Sequence, residues 1–576
     1  MGCSHSVHNE TKKSEKAMKA AVLIQNWYRC YKARLELRRR QALNIFETIE
    51  YADEQDQMQL AKFFTFMLEH YVKNKSSADN LPKIFNPEPK RKSDQETIIS
   101  LIEVPDTYYG PRLKFPLTFA DVVLLIDAFK ENQILHARYV LEVLVEAKKI
   151  LQQMPNIIHI SSTVSKELTI CGDIHGKLDD LFLIFYKNGL PSGNNRYVFN
   201  GDFVDRGQNS MEVLMVLFSF LLVYPNDIYL NRGNHEDYLM NMRYGFTKEI
   251  MQKYKQHGAK ILHLLEEVYT WLPIGTLIDK KVLVIHGGIA DNTDLNMLEQ
   301  MKRNRMRSVL MPPLVPAVFD PRHGHFSHEL SPPAMLAMEQ LTKNEWDQII
   351  TVFSASNYYE EGSNRGAYLK LSHDTTPRFF QYQSSQITQA KTLHERVNIV
   401  ENAAFRILGE RMISRKTNLI KAFQKYDPND TGKISLSDWA KATEEVLELH
   451  LPWMSLCPRL VKTIEDGYVL YNMGFKDLPV VRAPQVAKAG MVETLVRYRS
   501  DLKIIFNVID KDQSGLISMD EFRAMWKLFC SHYNIDIEES HVDQVAHSMD
   551  LNKDGSIDFN EFLTAFDVVH RATNKL

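Results

Sequence analysis

The chain has 576 residues, of which 44% are hydrophobic, 24% charged and 10% aromatic. This composition excludes a collagen-like, disordered or disulfide-scaffold chain, and at roughly 150 residues per domain it fits about three or four domains. The 69 basic and 72 acidic residues leave a net charge of −3, which gives no reason to expect nucleic acid as a partner.

That balance conceals a basic head: from Thr11 to Arg40 ten Lys or Arg face two acids. The five cysteines, Cys3, Cys30, Cys171, Cys457 and Cys530, are scattered and odd in number, which suits free thiols and predicts a reducing, cytoplasmic setting. No run of about 18 apolar residues could span a bilayer, and the polar start lacks the apolar core of a signal peptide.

In chain order, Met1 to Ser6 fits the N-myristoylation pattern, with Gly2 as acceptor and Cys3 beside it as a palmitoylation candidate. Two chains, or one plus the basic head, would give peripheral membrane contact, while an unmodified N-terminus is the alternative. Val22, Leu23, Trp27, Cys30 and Tyr31 recur at helical spacing against a basic face, predicting an amphipathic helix over Ala17 to Arg40. Within it Ile24, Gln25, Arg29 and Arg34 stand as in an IQ motif. The resemblance implies a calmodulin-type partner enclosing the apolar anchors and pairing with the arginines. A solvated basic helix is the plainer reading. Leu81 to Lys92 reads as a linker, and Thr118 to Gln152 predicts two helices.

The pattern then changes to short apolar runs separated by helical stretches, the mark of an α/β domain lasting to about residue 385. Five runs end in polar clusters: ELTICGDIHG, RYVFNGDFVDRG, DIYLNRGNHE, KVLVIHGG and IITVFSASNYY. Groups at strand carboxyl ends converge in such folds. The clusters supply Asp173, His175, Asp202, Asn234 and His286, a set of oxygen and imidazole donors that suits Mn, Fe or Zn and predicts a dinuclear centre bridged by Asp202.

Gly172-Asp173-Ile174-His175-Gly176, Gly201 to Gly207 (GDFVDRG) and Gly233-Asn234-His235-Glu236 resemble the three signatures of the phosphoprotein phosphatase family. His286-Gly287-Gly288 and Ser354 to Tyr358 resemble its later elements. The resemblance implies a calcineurin-like metallophosphoesterase sandwich with helices. Asp173 and His175 would hold one metal, Asn234 and His286 the other, and Asp202 both. Two cations would lower the pKa of a shared water, providing hydroxide for attack on phosphorus. His235 would protonate the departing oxygen, Asp205 would orient His235, and Arg206 would clamp the phosphoryl oxygens. Taken singly, a capping Asp, a turn Asn or a paired Arg explains each residue. The ordered spacing, 29, 32 and 52 residues from Asp173 through Asp202 and Asn234 to His286, favours the joint reading.

The family's Leu-Trp-Ser-Asp-Pro block, second phosphate-binding arginine and Arg-x-His metal ligand do not occur. Glu345 to Ile350 runs straight into Thr351-Val352-Phe353-Ser354, as though several tens of residues had been removed near 350. The second metal would lose a ligand and the sheet would lose strands beside His286. Arg322, His323, His325 and His328 are the nearby substitutes. The expected consequence is a shortened form with impaired activity, the alternative function being that of a regulatory calcium- and calmodulin-binding protein.

In the tail, Asp510, Asp512, Ser514, Gly515, Ser518 and Glu521 form one EF-hand pattern. Asp550, Asn552, Asp554, Gly555, Ser556, Asp558 and Glu561 form a second, 40 residues on. Ile517 and Ile557 are expected to meet across a short β contact. A loop from Asp427 ends in the shorter Asp438, and a decayed hand near Glu465-Asp466-Gly467 would complete its pair. The order of parts resembles the protein phosphatases with EF-hands, the retinal degeneration C family. That resemblance implies Ser/Thr phosphoprotein substrates, Mn-type metals, Ca²⁺ and calmodulin. The expected domains are 1–45 (acylation site and IQ helix), 46–115 (helical and linker), 116–390 (catalytic) and 395–576 (all-α EF-hand).

Overall fold

The computed structural model describes residues 3–73, 99, 101–164, 167–287, 294–310, 350–372, 376–384, 392–461, 464–465, 467–471, 501, 504–505, 516–533 and 555–558. The helix expected over Ala17 to Arg40 is one continuous α1 (Cys3–Lys73), so the boundary near residue 45 falls inside it. Neither Gly nor Pro occurs from Cys3 to Lys73, leaving no local signal to stop the helix. The two helices predicted over Thr118 to Gln152 are α2 (Phe119–Lys130) and α3 (Ala137–Leu151). Thr118 and Asp121 cap the first of them reciprocally.

The catalytic region is a sandwich of two sheets. In one, β2 (Leu168–Cys171), β3 (Arg196–Phe199) and β4 (Ile228–Leu230) are parallel, and β7 (Gly366–Leu371) and β8 (Pro377–Tyr382) extend it antiparallel in the order β4-β3-β2-β7-β8. The other has the order β1-β5-β6, from β1 (Ile157–Ile160), β5 (Gly275–Ile278) and β6 (Val282–Ile285). Side chains alternate across a strand, and here each alternate set has its own core. Ile170, Val198 and Tyr229 face Ile158, Ile278 and Val284 between the sheets. Cys171, Tyr197, Phe199 and Leu230 pack outward with helix residues Leu144, Val213 and Leu217. The crossover helices α4 (Leu178–Asn188) and α5 (Ser210–Val223) cover that outer face. The fifth apolar run forms no strand; Phe353 only bridges to Asp173. Among the described residues β6 is an edge strand, as expected if strands beside His286 are missing.

Within the catalytic region α6 to α8 (Tyr238–Tyr244, Phe246–Tyr254 and Gly258–Tyr269) lie between β4 and β5, and α9 (Leu295–Gln300) follows β6; the tail opens on α10 (Leu393–Ser414). Helix α10 packs along α1: Ala42, Ile45, Phe46 and Ile49 share a core with Val400, Ala403, Ala404 and Leu408. The spacing of the α1 residues is that of one helical stripe. β9 (Lys433–Ser435) pairs with β11 (Tyr468–Leu470) through Ile434 and Val469, with the short β10 (Ile464–Glu465) on the other side of β11, so the Asp427 loop and the decayed hand do form a pair. β12 (Leu516–Ser518) pairs with β13 (Ser556–Asp558) through Ile517 and Ile557, as expected for the second pair.

Candidate active site

The loops after β2 and β3 are joined by their backbones. Ile174 and His175 N–H donate to the Asp202 carbonyl at 3.0 and 2.9 Å, and Gly176 N–H donates to Phe203 at 2.8 Å. His175, Asp202, Asp205 and Arg206 all have left-handed φ, from 45° to 69°. Such strain in non-glycine residues costs on the order of 1–3 kcal/mol each and persists where surroundings overdetermine it. Here Glu236, fully buried, supplies part of that constraint by accepting from Asp202 N, Phe203 N and Gly233 N at 2.7–2.8 Å.

Asp173, His175, Asp202, Asn234 and His286 converge from both sheets. His175 Nδ1 bonds the Val204 carbonyl at 2.9 Å, which turns Nε2 toward Asp173 Oδ2 at 3.8 Å and Asp202 Oδ2 at 3.7 Å. His286 Nδ1 bonds the Asn200 carbonyl at 2.8 Å, leaving Nε2 3.4 Å from Asp202 Oδ2. The Asn234 amide fits Asp202 Oδ2 (3.1 Å) and His286 Nε2 (2.9 Å) with its nitrogen toward them; a half-turn presents its oxygen to the same spot. Two donors about 2.1 Å from one cation lie roughly 3–4 Å apart, so the imidazole–carboxylate separations of 3.4 to 3.8 Å fit shared divalent cations.

The electrostatics agree. Burial pushes the Asp173 carboxyl up to about 7, and burial beside His235 pushes His175 down to about 3. Burial disfavours a charged His286, yet Asp202 and Asp173 carry it up to about 9. A pocket of buried carboxylates that draws positive charge toward itself suits metal cations.

His175, Asp202 and His235 also offer ligand atoms within 4.8 Å of one another. His235 differs from the ligands: its Nδ1 bonds Asp205 Oδ2 at 2.8 Å. Burial opposes its cation, but Asp202 and the Asp205 bond raise its pKa above the ordinary value, which suits a proton donor better than a metal ligand. Asp205 is completely buried and accepts further from Asn241 Nδ2 (2.8 Å) and Phe246 N (2.9 Å). Arg206 lies over the Tyr244 ring at 4.2 Å, and its Nη2 donates to Glu50 of α1 at 2.9 Å.

Sequence reasoning missed five supports. Glu236 was visible in its motif, and Tyr358, whose ring packs 5.1 Å from His175, lies in the SASNYY element. No local pattern marks Asn241, Tyr244 or Glu50. The substitutes Arg322, His323, His325 and His328 lie outside the described residues.

Ile24, Gln25, Arg29 and Arg34 are all exposed on α1, as a partner-binding face requires. No helix among the described residues is long and apolar enough to cross a membrane. Gly2, the Cys3 side chain, Asp510, Asp512, Ser514, Asp550, Asn552, Asp554 and Glu561 lie outside the described residues. Glu521 stands in the first turn of the helix Met519–Tyr533, accepting from Ser518 N and Oγ at 3.0 and 2.9 Å, and Ser556 opens β13. Asp427 accepts from Thr431 N and Oγ1, Gly432 N and the Tyr471 hydroxyl at 2.6–3.1 Å, so this loop is closed by protein donors.

Comparison with known proteins matches calcineurin-like phosphoesterases over residues 167–351, an EF-hand domain pair over 499–566 and an IQ calmodulin-binding motif over 18–38. The PPP5 TPR repeat region matches 84–159, a likeness not anticipated from the motifs. The rat serine/threonine-protein phosphatase with EF-hands 1 is 54% identical over 99% of this chain and 98% of its own length. Its alignment runs over 634 positions against the 576 residues here, so several tens of its positions face no residue of this chain. The Drosophila serine/threonine-protein phosphatase rdgC is 37% identical over 96% of this chain and 90% of its own. A solved yeast serine/threonine phosphatase with similarity to human PP5 is 25% identical, covers 48% of this chain and all of its own, and has a TM-score of 0.39. The chain therefore belongs to the serine/threonine-protein phosphatases with EF-hands, the family of rdgC.

Proposed function

We propose that residues 116–390 hydrolyse phosphoserine and phosphothreonine at a two-metal centre held by Asp173, His175, Asp202, Asn234 and His286, under control of calcium and calmodulin. The observation that carries the reading is the convergence of these five donors beside the His235–Asp205 pair. Two divalent cations, of which Mn is the first candidate, would supply a water of lowered pKa and Lewis-acid polarisation of the phosphate.

The chain's own groups do the rest. Arg206, steadied by the Tyr244 ring, grips phosphoryl oxygens through its fork of donors and offsets charge in the transition state. His235 Nε2 gives its proton to the serine or threonine oxygen as the P–O bond breaks, while Nδ1 stays bound to Asp205. Asn241 and the Phe246 N–H hold the Asp205 carboxyl in its orientation toward His235. Calcium at the second EF-hand pair would act on the catalytic region through the buried Arg243–Asp501 ion pair at 2.9 Å. Acylation of Gly2 and Cys3 would add peripheral membrane contact, which the mass of the N-terminal peptide tests.

A second reading, an impaired phosphatase serving as a calcium- and calmodulin-binding regulator, is favoured by the edge position of β6 and the unmatched stretch of the relatives. Elemental analysis of calcium-free protein together with turnover of an aryl phosphate separates the two. The first requires two metals and hydrolysis, both lost in Asp202→Asn. Bound metal without turnover favours the second. Equal rates with and without the restored Leu-Trp-Ser-Asp-Pro to Arg-x-His block would remove the case for impairment.

A further inference from the structure

The turn that carries Asn234 and His235 is tied at both ends to one distant segment. At its start Arg232 spreads a guanidinium over three backbone carbonyls: Nη1 donates to Met306 at 2.6 Å, Nη2 to Arg307 at 3.1 Å and Nε to Glu236 at 3.2 Å. The Arg232 N–H donates to the Pro273 carbonyl at 2.8 Å. At the other end Asp237 is almost fully buried. Its Oδ2 accepts from Val309 N at 2.7 Å, and its Oδ1 accepts from Ser308 Oγ at 3.0 Å and from Leu239 N at 2.8 Å. Residues 306–309 hold the Gly233–Glu236 turn from outside, while the Glu236 carboxylate holds it from inside through the amides of Asp202 and Phe203.

The segment is itself built in. Arg303 is buried and donates to Asn156 Oδ1 at 2.6 Å, to the Leu151 and Met154 carbonyls at 2.8 and 2.6 Å, and to the Trp271 carbonyl at 3.1 Å. Asn156 Nδ2 in turn donates to the Leu298 and Met301 carbonyls at 2.7 and 2.6 Å. The end of α3 and the chain entering β1 anchor residues 303–309, and these anchor the turn. Burying a guanidinium is costly unless its donors are filled. Those of Arg232 are filled by the backbone of the two segments whose relative position sets where Asn234 and His235 lie.

We propose that Arg232 and Asp237 are positioning residues for the reaction: by tying both ends of the Gly233–Glu236 turn to Met306–Val309, they hold Asn234 at the second metal and His235 at the leaving oxygen. The inference rests on the phosphatase reading for those two roles. Outer partners that orient a metal ligand are commonly worth about 10–100-fold in affinity or activity.

The test is calorimetric titration of the metal-free, full-length chain with Mn²⁺, alongside thermal melting and turnover of a phosphoserine peptide and of nitrophenyl phosphate. Arg232→Met keeps the bulk of the side chain and removes its donors. It should weaken the Mn²⁺ site of Asn234 and His286, identified by its loss in His286→Ala, by about 10–100-fold and leave that of Asp173 and His175 little changed. Arg232→Lys, which restores the charge and part of the donor set, should recover part of that affinity. Asp237→Asn keeps Oδ1 for Ser308 and the α6 cap but turns an amide nitrogen toward Val309 N. It should lower kcat on the phosphoserine peptide by about tenfold, with KM and nitrophenyl phosphate turnover little changed. Should Arg232→Met misfold, Arg232→Lys and Asp237→Asn carry the same two readouts. Folded variants that melt earlier with Mn²⁺ affinity and both rates unchanged would overturn the proposal, as would equal weakening of both metal sites. Wild type that binds two metals and turns over neither substrate would sink the phosphatase reading; a selectively weakened second site in Arg232→Met would still uphold the positioning of Asn234.

Discussion

His235 and Asp205 form a buried imidazole–carboxylate pair, Nδ1 to Oδ2 at 2.8 Å, in which the carboxylate is held by two further donors. Asp205→Asn should lower turnover of phosphoserine peptides by about 10²–10⁴. Nitrophenyl phosphate, whose leaving group needs no proton, should lose far less. Because Asp205 helps raise the His235 pKa, the alkaline limb of the pH–rate profile should move to lower pH. Equal losses on both substrates would contradict the proton-donor role.

Asn241 acts through Asp205 and so is a positioning residue. Asn241→Ala removes donors to Asp205 and to the His235 carbonyl, both at 2.8 Å. The expected result is a fall in kcat of about tenfold with KM little changed, together with the same direction of pH shift as Asp205→Asn. A loss confined to thermal stability would assign Asn241 a structural role only.

A side chain at position 233 has no space. A Cβ there would fall on Asp202 Oδ1 and on the Asp202 amide nitrogen. Gly233→Ala should therefore displace the expected bridging carboxylate and reduce metal content as measured by elemental analysis, with secondary structure intact by circular dichroism. Full metal content would show that Asp202 is not a ligand.

Burial pushes the Asp180 carboxyl up to about 6, although Ser356 N and Oγ both donate to it at 2.7 Å. The folded chain then holds this proton more tightly than the unfolded chain, so the group's contribution to stability is lost as pH rises from about 4 to 6. The upper limit is on the order of 3 kcal/mol. Asp180→Asn should raise the melting temperature at pH 7 more than at pH 4; a pH-independent effect would count against this account.

Trp526 is almost fully buried and stacks on Phe522 at 5.7 Å, one turn beyond Glu521. Calcium titration should change its emission as Glu521 turns from Ser518 toward the loop, and Glu521→Gln should weaken that response about tenfold or more. Unchanged emission in wild type would mean that the first loop of this pair does not take calcium.

The local parts of this protein were legible because their signals span a few residues. Strand ends rich in Asp, His and Asn marked the metal centre, helical spacing and paired arginines marked the IQ helix, and two twelve-residue loops marked the EF-hands. The length of α1 was not read: a helix was expected only over Ala17 to Arg40, whereas it runs from Cys3 to Lys73. Tertiary structure decided which distant charges meet. Glu50 reaches Arg206 across 156 residues and Arg243 reaches Asp501 across 258. No periodicity or loop chemistry specifies such pairs, because each depends on whole elements packing first: α1 on α10 for one, the EF-hand region against α6 for the other. The sequence by itself determined the candidate catalytic donors, the EF-hand loops and the IQ motif, because each is a short local pattern; only the packing of α1 determined that the Glu50 carboxylate sits on Arg206, because that pair meets only once whole elements have docked.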